Sequence, residues 1–364
     1  MSLPAVNPPM SEDLRERLRT INAPDPYTNG PDGAEIGDDI VTQGLVGEVT
    51  VEGETATVEL ALGAPHSPAE TDLVAAVRRT VSDAGYEPVL SVRIDDDTPA
   101  SDGPTVIAVS SGKGGVGKST VSTNLAAGIA ERGASVGLFD ADVFGPNIPR
   151  MLGVADEMVQ PGGENTILPV DADGIQVLSV GFMVDDSNPI TWRGPVVDQM
   201  LSDLWHDVAW DGVEYLVVDL PPGTGDAQLT MLQQMPVMGS IVVTTPQDVA
   251  LDNVRKGITQ FDPYEAEVFG LVENMSTFVC PNCGEGHEVF PRTGAAALAD
   301  EFDVPLLGRI PLDPAIGEHC EAGEPIVFEG TETAEIFRQL AGDVMDAVGR
   351  SRRHAHTRNS NPPA

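Results

Sequence analysis

Ser111, Gly112, Lys113, Gly114, Gly115, Val116, Gly117, Lys118, Ser119 and Thr120 follow one another without interruption. Gly112, Gly117, Lys118 and Ser119 among them fall on the spacing of a phosphate-binding loop. Glycines at those places let successive backbone N–H groups turn toward phosphate oxygens with no Cβ in the way. A helix opening near Lys118 adds the partial positive charge of its N-terminus. In such a loop Lys118 reaches the β- and γ-phosphates and the Ser119 hydroxyl ligates Mg²⁺. The run 112–120 is therefore expected to line a nucleotide. Lys113 is one lysine more than the spacing requires, in a chain that has only three. Its compact ammonium suits a reach to the nucleotide of a facing subunit, where it would neutralise charge on the transferred phosphoryl group. An arginine finger does the same work elsewhere and contributes on the order of 10³–10⁵ in rate.

Carboxylates stand where such a loop would need them. Asp140 and Asp142 close an apolar run, at the strand end where an acid meets Mg²⁺ or an attacking water. Tyr215, Leu216, Val217 and Val218 lead into Asp219, a buried-strand pattern whose terminal acid holds Mg²⁺ through water. Pro221, Pro222, Gly223, Thr224, Gly225 and Asp226 come next, and a glycine beside a γ-phosphate donates its N–H and flips on hydrolysis. Cys280 and Cys283 form a C-x-x-C turn that points two thiolates at one metal, with Gly284 relieving the backbone. Two ligands do not close a site. Spacing alone leaves two completions open. Two facing subunits supply four thiolates for a [4Fe–4S] cluster, or His287 and Cys320 complete a Cys₃His zinc site within one chain.

These residues need rigid elements behind them. Apolar strand signals at 105–110, 135–140, 176–180, 215–220, 240–244, 268–272 and 306–310 alternate with helical periodicity at 119–132, 196–208, 227–235, 249–260, 295–301 and 332–348. That alternation predicts an α/β fold, a mostly parallel, doubly wound sheet of the P-loop NTPase kind over residues 105–350. Residues 11–95 read as a separate small α/β domain, with a helix near 12–21, strands at 45–51, 55–62 and 88–94, and a helix over 69–84. The aspartate-, Thr- and Pro-bearing stretch 96–104 reads as a linker and 351–364 as an unstructured tail.

Composition narrows the partners. Against 20 basic residues stand 57 acidic ones, a net charge of −37 that repels nucleic acid and anionic membrane surfaces. Neither is an expected partner. The dense carboxylates and scarce lysine resemble halophilic proteins that work in molar salt. Three cysteines are too few for a disulfide framework. The first residues hold prolines and acids, not a basic segment followed by an apolar one, so no signal peptide is expected and the location is expected to be cytoplasmic.

The loop with its early lysine resembles the deviant Walker A motif of the MinD/ParA/nitrogenase-iron-protein class of P-loop ATPases. The strings around Asp219 and Gly223, Thr191-Trp192-Arg193-Gly194-Pro195, Thr244-Thr245-Pro246-Gln247 and the cysteine pair narrow the resemblance to the Mrp/ApbC iron–sulfur cluster carriers, over about residues 11–348. The resemblance implies ATP hydrolysis by a homodimer that passes a bridging [4Fe–4S] cluster, held by Cys280 and Cys283, to apo iron–sulfur proteins. It makes the segment after Asp140 switch I, with Asp142 positioning the water and Asp140 in the magnesium shell, and the segment at Gly223 switch II. It also implies that Asn274 pairs with the adenine edge while Pro311 walls the base. The front domain resembles one that accompanies many of these ATPases, although residues 27–37 depart from the usual compact form and it has no cysteine of its own. Two other identities fit parts of the pattern: a MinD- or ParA-like positioning ATPase, and an NTPase stabilised by structural zinc.

Overall fold

A computed structural model describes residues 8–24, 37–94, 103–143, 145–163, 166–183, 194–223, 225–246, 251–264, 266–280, 283, 285–287 and 294–360. The chain divides into two compact units, Met1–Ser101 with Met345–Ala364, and Asp102–Val344. Residues 191–193, 224, 247, 281, 282 and 284 of the motifs above lie outside the described residues, as do 27–36 of the expected insertion and 95–102 at the expected linker.

In the first unit the elements are α1 (Pro8–Leu18), β1 (Val46–Glu52), β2 (Thr55–Leu62), α2 (Pro68–Asp83) and β3 (Glu87–Ile94). Strand order is β1-β2-β3, with β1 antiparallel and β3 parallel to β2. Ala56, Val58 and Leu60 alternate along β2 and are fully buried with Leu14 and Leu18 of α1 and Val77 and Val81 of α2. One face of a three-stranded sheet is thereby closed by two helices. Ser67 caps α2 by accepting from the Glu70 N–H at 3.2 Å. The Glu70 carboxylate turns away and accepts from the N–H groups of Gly63 (2.9 Å) and Ala64 (2.7 Å). Arg353 pairs with the same carboxylate and Arg352 donates to the Gly63 carbonyl at 2.6 Å. Burial pushes the Glu70 carboxyl up from its ordinary range.

That anchorage revises the tail. The last helix continues to residue 360, so most of the segment expected to be unstructured is helical, and residues from 345 onward belong to the first unit.

The second unit runs β4 (Thr105–Ser111), α3 (Lys118–Glu131), β5 (Val136–Asp140), α4 (Ile148–Met151), β6 (Gln160–Pro161), β7 (Ile167–Leu168), β8 (Val170–Ala172), β9 (Ile175–Ser179), α5 (Gly194–Asp207) and β10 (Tyr215–Asp219). It continues with α6 (Asp226–Gln234), β11 (Val237–Thr244), α7 (Leu251–Thr259), β12 (Glu267–Val279), β13 (Gly286–His287), α8 (Gly294–Phe302), β14 (Leu306–Leu312), α9 (Pro314–Ala322) and the part of α10 (Glu332–Ser360) up to Val344. The large sheet has the order β13-β12-β11-β4-β10-β5-β9-β8, with β14 also on β12. The pairs from β9 through β12 and on to β14 are parallel, and β8 and β13 are antiparallel additions at the two ends. Every residue of β4, β5 and β10 is buried, as expected of parallel strands covered on both faces.

After β4 the chain moves outward to β5 and β9, returns to insert β10 between β4 and β5, and then builds β11, β12 and β14 on the other side. The reversal falls beside β4, and ligands of open α/β sheets bind at such a switch point, outside the carboxyl ends of the strands. No described helix is long and apolar enough to cross a membrane.

Candidate nucleotide and metal site

β4 delivers the glycine loop, and α3 opens at Lys118 with Gly117 as its cap. Gly115 and Gly117 take φ values of 79° and 84°. Parallel pairing sets Val109 beside Asp219 and Asp219 beside Asp140, with Ser179 next in line. Two fully buried carboxylates thus stand on neighbouring strands just below the loop.

The Lys118 ammonium lies 2.7 Å from Asp219 Oδ2 and 3.8 Å from Asp142 Oδ2. Ser119 Oγ donates to Asp219 Oδ2 and Ser122 Oγ to Oδ1, both at 2.6 Å. Asp140 accepts from Ser179 Oγ at 2.9 Å, from the Asp142 N–H at 3.2 Å and from the Ile148 N–H at 3.3 Å. Lys118, Ser119, Asp140, Asp142 and Asp219 therefore converge. Ser122 and Ser179 were not among the expected site residues. Ser122 lies one helical turn past Ser119 and was within reach of a periodicity argument, whereas Ser179 reaches Asp140 only through the strand order.

Burial, with the Asp219 charge next to it, pushes the Asp140 carboxyl up to about 8 from 3.8. An acid with a raised folded-state pKa stabilises the fold most below its unfolded value and loses that contribution as pH rises through the folded one. For the nucleotide-free protein in chelator, the gap in melting temperature between Asp140→Asn and the native protein should widen in favour of the variant from roughly pH 5 to pH 8. Parallel melting curves across that window would refute the assignment.

The segment at Gly223 touches the loop. The Gly223 N–H donates to the Ser111 carbonyl at 2.9 Å, with Gly223 at φ 91°, so its use at a phosphate requires this peptide to turn over. Lys113 is half-buried, its carbonyl accepts from Ser111 Oγ at 3.1 Å, and it has no ion pair with any described residue.

Asn274 sits against the loop itself. It is buried, its amide donates to the Val116 carbonyl at 2.8 Å and its Oδ1 accepts from the Met275 N–H at 2.9 Å. Met275 follows at φ 57° and Ser276 Oγ donates to the Ile310 carbonyl, so β12 is bent here and its pairing with β14 shifts register. Pro311 is buried in β14 next to an exposed Leu312. A Cβ at Gly117 would come within 2.1 Å of Asn274 Nδ2. Gly117→Ala should lose about 1–2 kcal/mol from the left-handed backbone alone, with further loss and weaker nucleotide binding as Asn274 is displaced. Combining it with Asn274→Ala should cost less than the sum of the single changes, measured by denaturant unfolding; additive losses would deny the contact.

β12 ends at Val279, directly before Cys280. Phe278 pairs with His287 and Val279 with Gly286, and the Cys280 N–H donates to the Glu285 carbonyl at 3.0 Å. Cys280 is half-buried and Cys283 exposed, and neither is in a disulfide. The Cys₃His set is not assembled among the described residues. His287 groups with Cys283 and Glu285, whereas Cys320, on α9, is hydrogen-bonded to the Thr120 side chain, and burial raises its thiol pKa.

Known proteins resemble this chain in sequence and fold. The chain is 40% identical over 324 residues to an iron–sulfur cluster carrier protein of Haemophilus influenzae, covering 84% of this chain and 86% of that one. It is 38% identical over 335 residues to one of Synechocystis, covering 86% and 95%. Among solved structures, an ADP-bound nucleotide-binding protein from Archaeoglobus fulgidus superposes with a TM-score of 0.56 at 37% identity, over 64% of this chain and 91% of that chain. The Pyrococcus furiosus cell division ATPase MinD gives 0.50 at 26%, over 66% and 98%. A family model described as ParA, NUBPL iron-transfer P-loop NTPase, matches residues 104–345. Because that match takes in the loop, the buried acids and the cysteine hairpin together, this chain belongs to the ParA family of NUBPL-type iron-transfer P-loop NTPases.

Proposed function

We propose that the protein binds and hydrolyses Mg-ATP at the loop after β4 and, as a homodimer, carries a [4Fe–4S] cluster between the Cys280 and Cys283 pairs of its two subunits for delivery to apo iron–sulfur proteins. One observation carries the reading: β12 holds the phosphate loop through Asn274 and Val116 at one point and ends directly before Cys280. A change in the loop has a direct mechanical route to the thiols.

The oxygens of Ser119, Asp140 and Asp219 are hard donors of the kind Mg²⁺ takes. Two adjacent buried acids sharing one lysine form a place where a divalent cation relieves repulsion. Mg²⁺ held there by Ser119, Asp140 and Asp219 would offset the charge of the phosphates. Lys118 then exchanges Asp219 for the phosphates, Gly112, Gly114, Gly115, Val116 and Thr120 line them, and Gly223 offers its N–H to the terminal one. Asp142 orients water for in-line attack, and Lys113 of the facing subunit neutralises the developing charge, without a covalent intermediate. Asn274 stands against the loop, and with Pro311 it would contact the base. Cysteines too few for a disulfide framework suit a reducing, cytoplasmic setting, and the acidic composition suits high salt.

Anaerobic reconstitution tests the reading. Expected are about four iron and four sulfide per dimer, followed by transfer of the cluster's absorption to an added apo iron–sulfur protein. Stoichiometric zinc that resists replacement, or a chain that stays monomeric with every nucleotide, would overturn it.

A further inference from the structure

Cys283, Glu285 and His287 bring one thiol, one carboxylate oxygen and one imidazole nitrogen within 4.8 Å of one another, all exposed. The hairpin explains the convergence. Glu285 and His287 are two apart on an extended segment and share one face. The ladder from Phe278 and His287 through the Cys280–Glu285 hydrogen bond holds Glu285 and His287 beside the end of β12, and Cys283 lies against both. Ligand atoms around a tetrahedral ion lie roughly 3.5 Å apart for bonds of about 2.0–2.3 Å, so exposed side chains need to close by only about 1 Å. A sulfur, nitrogen and oxygen set suits borderline ions such as Fe²⁺, Co²⁺ or Zn²⁺ and not Mg²⁺ or Ca²⁺.

We propose that these three residues form a site, complete within one chain, for a single borderline divalent metal ion, separate from the two-chain cluster but sharing Cys283 with it. The inference deepens the carrier reading and rests on it for that one shared ligand. One subunit alone can then hold a single ion, and assembly of the bridging cluster draws Cys283 away from His287 and Glu285. The two forms exclude each other on the same subunit.

The probe is Co²⁺, titrated anaerobically into the full-length apoprotein. Expected is one ion per chain with a thiolate-to-cobalt charge-transfer band, in monomer and dimer alike. His287→Ala and Glu285→Gln should each weaken binding about tenfold or more, His287→Cys should restore it, and Cys280→Ser should leave it unchanged. Cluster reconstitution should show the reverse pattern, surviving His287→Ala and failing in Cys280→Ser. Cobalt binding indifferent to His287 and Glu285, or lost with Cys280, overturns the site. Cobalt binding that behaves as expected in a protein that never takes up a cluster overturns the carrier reading and leaves this site standing.

Discussion

Lys118→Met should abolish ATP turnover and weaken the fold, whereas Lys113→Ala should abolish turnover alone. Lys118 is almost fully buried against the buried Asp219, with Asp140 on the neighbouring strand. Removing the ammonium leaves two acids facing each other without a cation. Breaking such a buried pair costs about 3–5 kcal/mol. The loss should be smaller in acid, where a carboxyl escapes by taking a proton, and smaller with Mg²⁺ present. Lys113 is half-buried and holds no described ion pair, so its loss should leave stability and nucleotide affinity nearly unchanged while kcat falls by about 10³–10⁵. Mixing the two inactive proteins decides whether Lys113 acts across the dimer. A mixed dimer has one intact nucleotide site facing one intact Lys113, so activity should return. No recovery after subunit exchange would rule out action from the facing subunit.

Changing Cys280 and Cys283 together to serine should take reconstituted iron from about four per dimer to background while ATP binding persists. Both residues lie beyond the end of β12, one half-buried and one exposed, and neither takes part in the buried lysine–carboxylate arrangement. Nucleotide titration and iron analysis on the same preparation separate the two outcomes. Cluster retained by the double variant would place its ligands elsewhere. Loss of both cluster and ATP binding would mean that the hairpin is structural to the nucleotide site.

Family membership and the α/β architecture were legible in the sequence because they rest on local signals. Glycines that must leave the phosphates unobstructed, apolar runs ending in acids, and a helix stop at Gly133 all announce themselves within a few residues. The strands expected at 105–110, 215–220 and 306–310 appear as β4, β10 and β14 with ends shifted by two residues at most. Short and antiparallel pieces were missed. The additions β6, β7, β8 and β13 span two or three residues each, too few to show a period. The helix α9 also went unread, and α10 extends past the expected end because its arginines find the Glu70 carboxylate and the Gly63 carbonyl, which are remote in the chain.

By itself, then, the sequence determined which residues handle phosphate and which can hold metal, since residue type and short spacing set that chemistry. The tertiary structure decided who meets whom. Insertion of β10 between β4 and β5 sets Asp140 beside Asp219, and desolvation together with the neighbouring charge raises the Asp140 pKa. The parallel register of β12 with its neighbours brings Asn274 to the Val116 carbonyl, and the hairpin register turns His287 and Glu285 toward Cys283. Such pairings depend on strand order and on closing long loops, and neither is encoded in any short stretch of chain.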